Sequence, residues 1–137
     1  MAGGACVLVV DDEASMRQVM ARMLTEHGYR PVIAGDGEEA LAIARTHIGR
    51  LPLVVTDIQM PVMNGLELAA HLARLDPSPK VLFISGYTAP QVEVNGSFLA
   101  KPFTPDIFIS RVRQLLAVPR GAARSVDAGS PAQRRSG

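Results

Sequence analysis

Apolar and polar positions along this chain fall into short blocks. Cys6 to Val10 form an unbroken apolar run that stops against three acids, Asp11, Asp12 and Glu13. A continuous run of that length is the pattern of a parallel strand covered on both faces. Met16, Val19, Met20, Met23 and Leu24 then recur at helical spacing, and Gly28 follows as a stop. The segment "PVIA" at 31–34 predicts a second strand, and Asp36, three residues before Glu39, predicts the cap of a helix running to about His47. "LVVT" at 53–56 predicts a third strand, with Asp57 at its end. Asn64 predicts the cap of a third helix that buries Leu68, Leu72 and Leu75 and is closed by "DPSP". "VLFI" at 81–84 and "FLA" at 98–100 predict strands four and five. Thr104, Pro105 and Asp106 read as the first positions of a last helix, with Ile107, Ile109, Val112, Leu115 and Leu116 on its apolar face.

Strands alternating with helices predict βαβ units and a parallel, doubly wound α/β sheet. One linker breaks the rhythm. Between Ile84 and Phe98 stands only "SGYTAPQVEVNGS", with Gly86, Pro90, Asn95 and Gly96 inside it. The fourth helix is therefore expected to be shortened or absent.

Composition narrows the picture further. The 137 residues suit one domain, and 47% of them are apolar. The longest apolar runs fall far short of the roughly 20 residues that cross a bilayer. "MAGGA" has neither the positive start nor the hydrophobic stretch of a secretory signal, and the lone Cys6 cannot form an internal disulfide. A reducing cytoplasm is the expected location, and Cys6 is expected simply to pack in the core. The net charge of +1 is unevenly spread: residues 119–137 carry +3, leaving −2 on residues 1–118. We read 1–118 as the folded domain and 119–137, rich in Gly, Ala, Ser, Pro and Arg, as a disordered basic tail. Four scattered arginines there are expected to form a solvated tail rather than a nucleic-acid or membrane contact. His27, His47 and His71 lack metal-ligand spacing and read as surface or boundary residues.

In an open parallel sheet, ligands bind beyond the carboxyl ends of the strands, near the point where strand order reverses. Asp11, Asp12 and Glu13 follow strand one, Asp57 ends strand three, Ser85 follows strand four and Lys101 follows strand five. Like charges this close raise one another's pKa unless a cation joins them. Carboxylates with backbone oxygens nearby suit a hard divalent ion, Mg²⁺ where phosphate is also handled. Taken singly, each of these residues would read as an ordinary solvated turn or surface residue. Together they make a pocket of acids, a hydroxyl and an amine.

The pieces "VLVVDDE", "VVTDIQMPVMNG", "VLFISGY" and "FLAKPF", in this order over residues 5–118, resemble the receiver domain of bacterial two-component response regulators. The resemblance implies a flavodoxin-like fold with a five-stranded sheet in the order 2-1-3-4-5. It implies that Asp57 is the phosphoacceptor, Asp12 a direct Mg²⁺ ligand, and Asp11 a neighbour reaching the ion through water. The main-chain carbonyl of Gln59 would complete the metal shell. Ser85 would bond the phosphoryl group, Lys101 would pair with it, and Phe98 matches an aromatic position that reorients in many receivers. Glu13 is assigned to polarising the site, and Gln59, Gly86 and Tyr87 to tuning how long the phosphoryl group lasts. The Lys101–Pro102 peptide is expected to be cis.

The partner implied is a sensor histidine kinase or a histidine phosphotransfer protein. The chain itself would be no enzyme in the usual sense, but a phosphoacceptor with self-catalysed transfer and autodephosphorylation. Neither a DNA-binding domain nor a membrane span is expected, and the protein is expected to be a monomer or weak dimer. The reduced fourth helix argues against the symmetric dimer that many receivers form around that element. It also resembles receivers attached to or partnered with sensor kinases. Two other chemistries compete. An aspartyl phosphohydrolase resembling haloacid dehalogenases would need a D-x-D pattern after strand one, whereas the acids here are adjacent. A flavodoxin-like flavin site would need a Ser/Thr/Gly-rich loop where this chain has three acids. A module that binds partners without phosphorylation is the remaining alternative.

Overall fold

In a computed structural model of the protein, residues 4–86 and 96–117 are described. The elements run β1 (Cys6–Val10), α1 (Ala14–Glu26), β2 (Arg30–Ala34), α2 (Gly37–Arg45), β3 (Leu53–Asp57), α3 (Gly65–Leu75), β4 (Lys80–Ser85), β5 (Gly96–Ala100) and α4 (Pro105–Ala117). The five strands form one parallel sheet in the order β2-β1-β3-β4-β5. This is the flavodoxin-like topology expected from the sequence.

Both faces of the sheet are covered, which explains why its central strands β1, β3 and β4 are buried at every position and apolar along most of their length. Val7, Val9, Leu53, Val55, Leu82 and Ile84 turn one way, onto Met20 and Leu24 of α1 and Phe108, Ile109 and Val112 of α4. Leu8, Val10 and Val54 turn the other way, onto Ala40 and Ala44 of α2 and Leu68 and Leu72 of α3. A smaller cluster of Ile58, Val81 and Phe83 continues that second face, with Leu66 and Phe98 against it.

Local chemistry starts the helices where it was expected to. The Asp36 carboxylate accepts from the Glu39 N–H, and Glu39 reaches back one residue beyond the cap, to the N–H of Gly35. Asn64 and Glu67 form a complete reciprocal capping box on α3. In α4 the Thr104 hydroxyl accepts from the Ile107 N–H at 3.2 Å. The face of this helix is rotated from the expected one. Ile107 is 49% exposed, whereas Phe108, not singled out by the sequence, is fully buried. The core stripe runs through 108, 109 and 112, which leaves 107 on its outer edge.

Ten residues at most separate β4 from β5, the lower limit for a crossover between parallel strands. The fourth helix of the sequence reading falls there, on residues 87–95, outside the described residues, as do Tyr87 and the tail from 119. The Lys101–Pro102 peptide is cis. Among the described residues no helix is long and apolar enough to cross a membrane. Cys6 is buried, and burial pushes its thiol pKa up, as suits a packed rather than a reactive cysteine.

Candidate functional site

Strand register assembles the site. Val10 pairs with Thr56, so the next residues, Asp11 and Asp57, meet across the β1–β3 seam. Asp57 pairs with Ile84, which sets Ser85 beside it. Ser85 pairs with Ala100, and the Lys101 N–H donates to the Ser85 carbonyl at 2.7 Å. Four strand ends thus deliver Asp11, Asp57, Ser85 and Lys101 to one spot at the switch point between β1 and β3.

The loop after β3 is shaped to leave Asp57 in place. The Gly65 N–H bonds the Ile58 carbonyl at 2.8 Å, and a Cβ on Gly65 would collide with the main-chain oxygen of Asp57. Glycine is required because α3 starts directly against the end of β3. Between them Met63 N–H bonds back to the Pro61 carbonyl at 2.7 Å, a γ-turn about Val62, whose φ is +70° and whose side chain is wholly exposed. The sequence pointed to a turn at "MPVMNG"; that a β-branched residue takes the positive φ was not legible.

One carboxylate oxygen from each of Asp11, Asp12 and Asp57 lies within 4.8 Å of the others. Asp12 is exposed, while Asp11 and Asp57 are buried. Asp11 Oδ1 accepts from the Glu13 N–H at 2.9 Å, and its other oxygen, Oδ2, is buried with no partner. A buried lone carboxylate oxygen is costly unless a cation reaches it. This orphaned atom, among three converging carboxylates, fits a hard oxygen-preferring divalent ion.

Burial raises the pKa of both Asp11 and Asp57 above the usual carboxylate range. For Asp57 the opposing influence is chiefly Lys101, whose Nζ stands 3.7 Å from Oδ2. Ser85 is buried beside them, with Gly86 next to it half-buried. Gln59 lies across the mouth, its N–H 3.4 Å from Asp57 Oδ1 and its side-chain oxygen facing Gly86. Glu13 is exposed on the rim. Phe98 lies one layer deeper on β5, stacked on Phe83 at 5.3 Å. His27, His47 and His71 are remote from this cluster in sequence and belong to no group of metal-binding side chains among the described residues.

Two features escaped the sequence reading. Arg17 reaches from the first turn of α1 to donate to the main-chain carbonyl of Asp11 at 2.7 Å. The signal was present, since a helical side chain covers the turn before its own Cα, here the acidic loop. The second is an apolar groove of about 360 Å³ beside Lys101, lined by Met16, Val19, Met23, Pro102 and Phe103.

The profile of the response regulator receiver domain matches residues 7–113, which hold the whole cluster. The chain belongs to this family. Over 122 residues this receiver is 34% identical to the sensor kinase CckA of Brucella abortus, an alignment covering 85% of the chain but 13% of that kinase. Its backbone is similar to the receiver domain of a hybrid histidine kinase CckA, with a TM-score of 0.74, 38% identity and coverage of 82% and 99% of the two chains. It is also similar to the response regulator TrrA of Thermotoga maritima, solved with Mg²⁺ and BeF, with a TM-score of 0.73, 30% identity and coverage of 81% and 98%. Membership removes the haloacid dehalogenase-like and flavin-binding alternatives raised by the sequence.

Proposed function

We propose that this receiver takes a phosphoryl group onto Asp57 from the phosphohistidine of a sensor kinase or phosphotransfer protein. The observation that carries the reading is the convergence of three carboxylates within 4.8 Å of one another, with Lys101 3.7 Å from one of them. Asp11, Asp12 and Asp57, with the Gln59 main-chain carbonyl, would hold Mg²⁺. The ion supplies charge neutralisation where a carboxylate must approach an anionic phosphoryl group.

The residues of the chain do the rest. An oxygen of Asp57 attacks phosphorus in line with the phosphorus–nitrogen bond, which breaks and leaves the donor imidazole to take a proton from water. Lys101 pairs with a phosphoryl oxygen and the Ser85 hydroxyl donates to another. Transfer needs positioning and charge compensation, not a separate general base, so this small cradle suffices. Gly86 keeps the approach open, while Gln59, Glu13 and Tyr87 set how readily water reaches the acyl phosphate. The charge gained draws Ser85 inward and biases Phe98, converting chemistry into a changed surface. The apolar groove between α1 and Phe103 offers the donor protein a docking face beside Lys101. Similarity to the receiver of a hybrid kinase favours a phosphate-shuttling or kinase-modulating role over the symmetric receiver dimer.

Intact mass after incubation with acetyl phosphate, with and without Mg²⁺, tests the proposal on the wild type and on Asp57→Asn. The expected result is a Mg²⁺-dependent gain of one phosphoryl group that the variant lacks. No gain in the wild type, with no detectable Mg²⁺ binding, would leave phosphorylation-independent association as the function.

A further inference from the structure

The residue Asp11 is held at every polar atom but one. Its N–H donates to the Ala34 carbonyl at 3.2 Å, and Oδ1 accepts from the Glu13 N–H at 2.9 Å. The Arg17 guanidinium donates to its main-chain oxygen at 2.7 Å. Only Oδ2 remains, buried and unpartnered. The guanidinium is held in turn. It rests against Gly35, where a Cβ would come 3.2 Å from Arg17 Nη1 and 3.6 Å from the Glu39 carboxylate that accepts from the Gly35 N–H.

The bond from Arg17 lands on an informative place. The carbonyl it grips and the N–H of Asp12 belong to the same rigid peptide plane. That plane lies just past the last residue of β1, beyond the strand pairing that would otherwise fix it. Turning it would swing Asp11 and Asp12 together, because it joins their two Cα atoms. A planar guanidinium on a helix that is itself packed on the sheet is a stiff anchor for such a plane.

We propose that Arg17 is a positioning residue for the metal-binding carboxylates. It fixes the peptide between Asp11 and Asp12 so that Oδ2 of Asp11 and the carboxylate of Asp12 face the same point. The inference rests on the reading of this cluster as a Mg²⁺ site. It assigns to Arg17 no contact with the ion or the phosphoryl group. Partners that orient metal ligands change metal affinity by about 10- to 100-fold when removed.

The test is Mg²⁺ titration of the metal-free protein by calorimetry, with amide NMR shifts of Asp12 and Glu13 recorded before metal is added. Arg17→Met is expected to weaken Mg²⁺ binding about tenfold, at the lower end of that range, and to shift both amides. Arg17→Lys, which keeps a donor on a long stem, recovers most of the affinity. Ile109→Val, a core change in α4 remote from the acids, lowers stability and leaves the Mg²⁺ affinity unchanged. Unchanged affinity in Arg17→Met overturns the proposal. If that variant fails to fold, unchanged affinity in Gly35→Ala, whose methyl presses on the guanidinium, overturns it instead. Equal weakening in Ile109→Val would reduce Arg17 to a stabilising residue and also overturn it. Absence of Mg²⁺ binding in the wild type would sink the underlying reading, a result distinct from the others.

Discussion

Lys101 Nζ stands 3.7 Å from Asp57 Oδ2, yet Asp57 still holds its proton more tightly than an ordinary aspartate. Loss of hydration on burial outweighs the pull of this partly exposed lysine, and the charge of Asp12 adds to the rise. The carboxylate cluster is therefore a place where the fold carries electrostatic strain. A divalent cation held by these carboxylates, as proposed above, would relieve that strain.

A pH dependence with a definite sign follows. Asp11 and Asp57 both have raised folded pKa values, so the native state binds protons more tightly than the unfolded chain between about pH 4 and those values. Their contribution to stability is complete below the ordinary carboxylate pKa and is lost as pH rises through the folded values. In metal-free buffer, Asp57→Asn should be more stable than wild type at pH 7, because it removes a carboxylate that burial disfavours in its ionised form. Its stability should also change less between pH 7 and pH 5. Urea unfolding across that interval checks both statements, and a variant less stable than wild type at pH 7 would contradict them. Added Mg²⁺ binds the ionised form, so it should stabilise the wild type increasingly as pH rises.

How much of this was legible beforehand varies with the physics of each feature. Strand and helix order could be read because the three central strands are buried and mostly apolar and three helix starts carry a polar cap. Which acids belong together was legible from their shared position after strands. The pairing that sets Asp11 against Asp57 was not, because a parallel register is fixed by packing across both faces. Ile107 and Phe108 are adjacent and both apolar, so composition could not say which of them the core would take. The grip of Arg17 on Asp11 depends on a backbone plane, and no pattern of residue types records that.

The close contact at Gly65 yields a second prediction. A methyl group there cannot be accommodated by a side-chain shift, since it would meet the main-chain oxygen of the phosphoacceptor candidate itself. Gly65→Ala should lower stability by about 1–3 kcal/mol, as overpacking does. It should also displace the Asp57 amide in NMR spectra. Loss of stability without any shift at Asp57 would mean that α3 moves and β3 stays.

Val62 makes a third. A β-branched side chain at φ +70° is held in a region that costs about 1–2 kcal/mol, and with full exposure it gains no packing in return. Val62→Asn keeps a side chain but tolerates that backbone, so thermal unfolding should show a gain of about 1 kcal/mol. A loss of stability would mean that the turn opens in solution.

The stack of Phe98 on Phe83 carries the last. Their ring centroids are 5.3 Å apart with 29° between the planes, and Arg111 Nη1 donates to the Phe98 carbonyl at 2.6 Å, steadying the backbone beneath the ring. An aromatic pair contributes about 0.5–1.5 kcal/mol beyond the area it buries. If Phe98 exchanges between two orientations on phosphorylation, this stack favours the inward one by that amount. Phe83→Leu keeps the site apolar but removes the ring, and should shift the ratio of orientations about two- to tenfold away from the inward state. Fluorine NMR on protein with fluorinated phenylalanine at position 98, before and after acetyl phosphate, reads that ratio. An unchanged ratio would show that Phe98 is held by something other than Phe83. A ring that stays in one orientation throughout would mean that this receiver signals without moving Phe98.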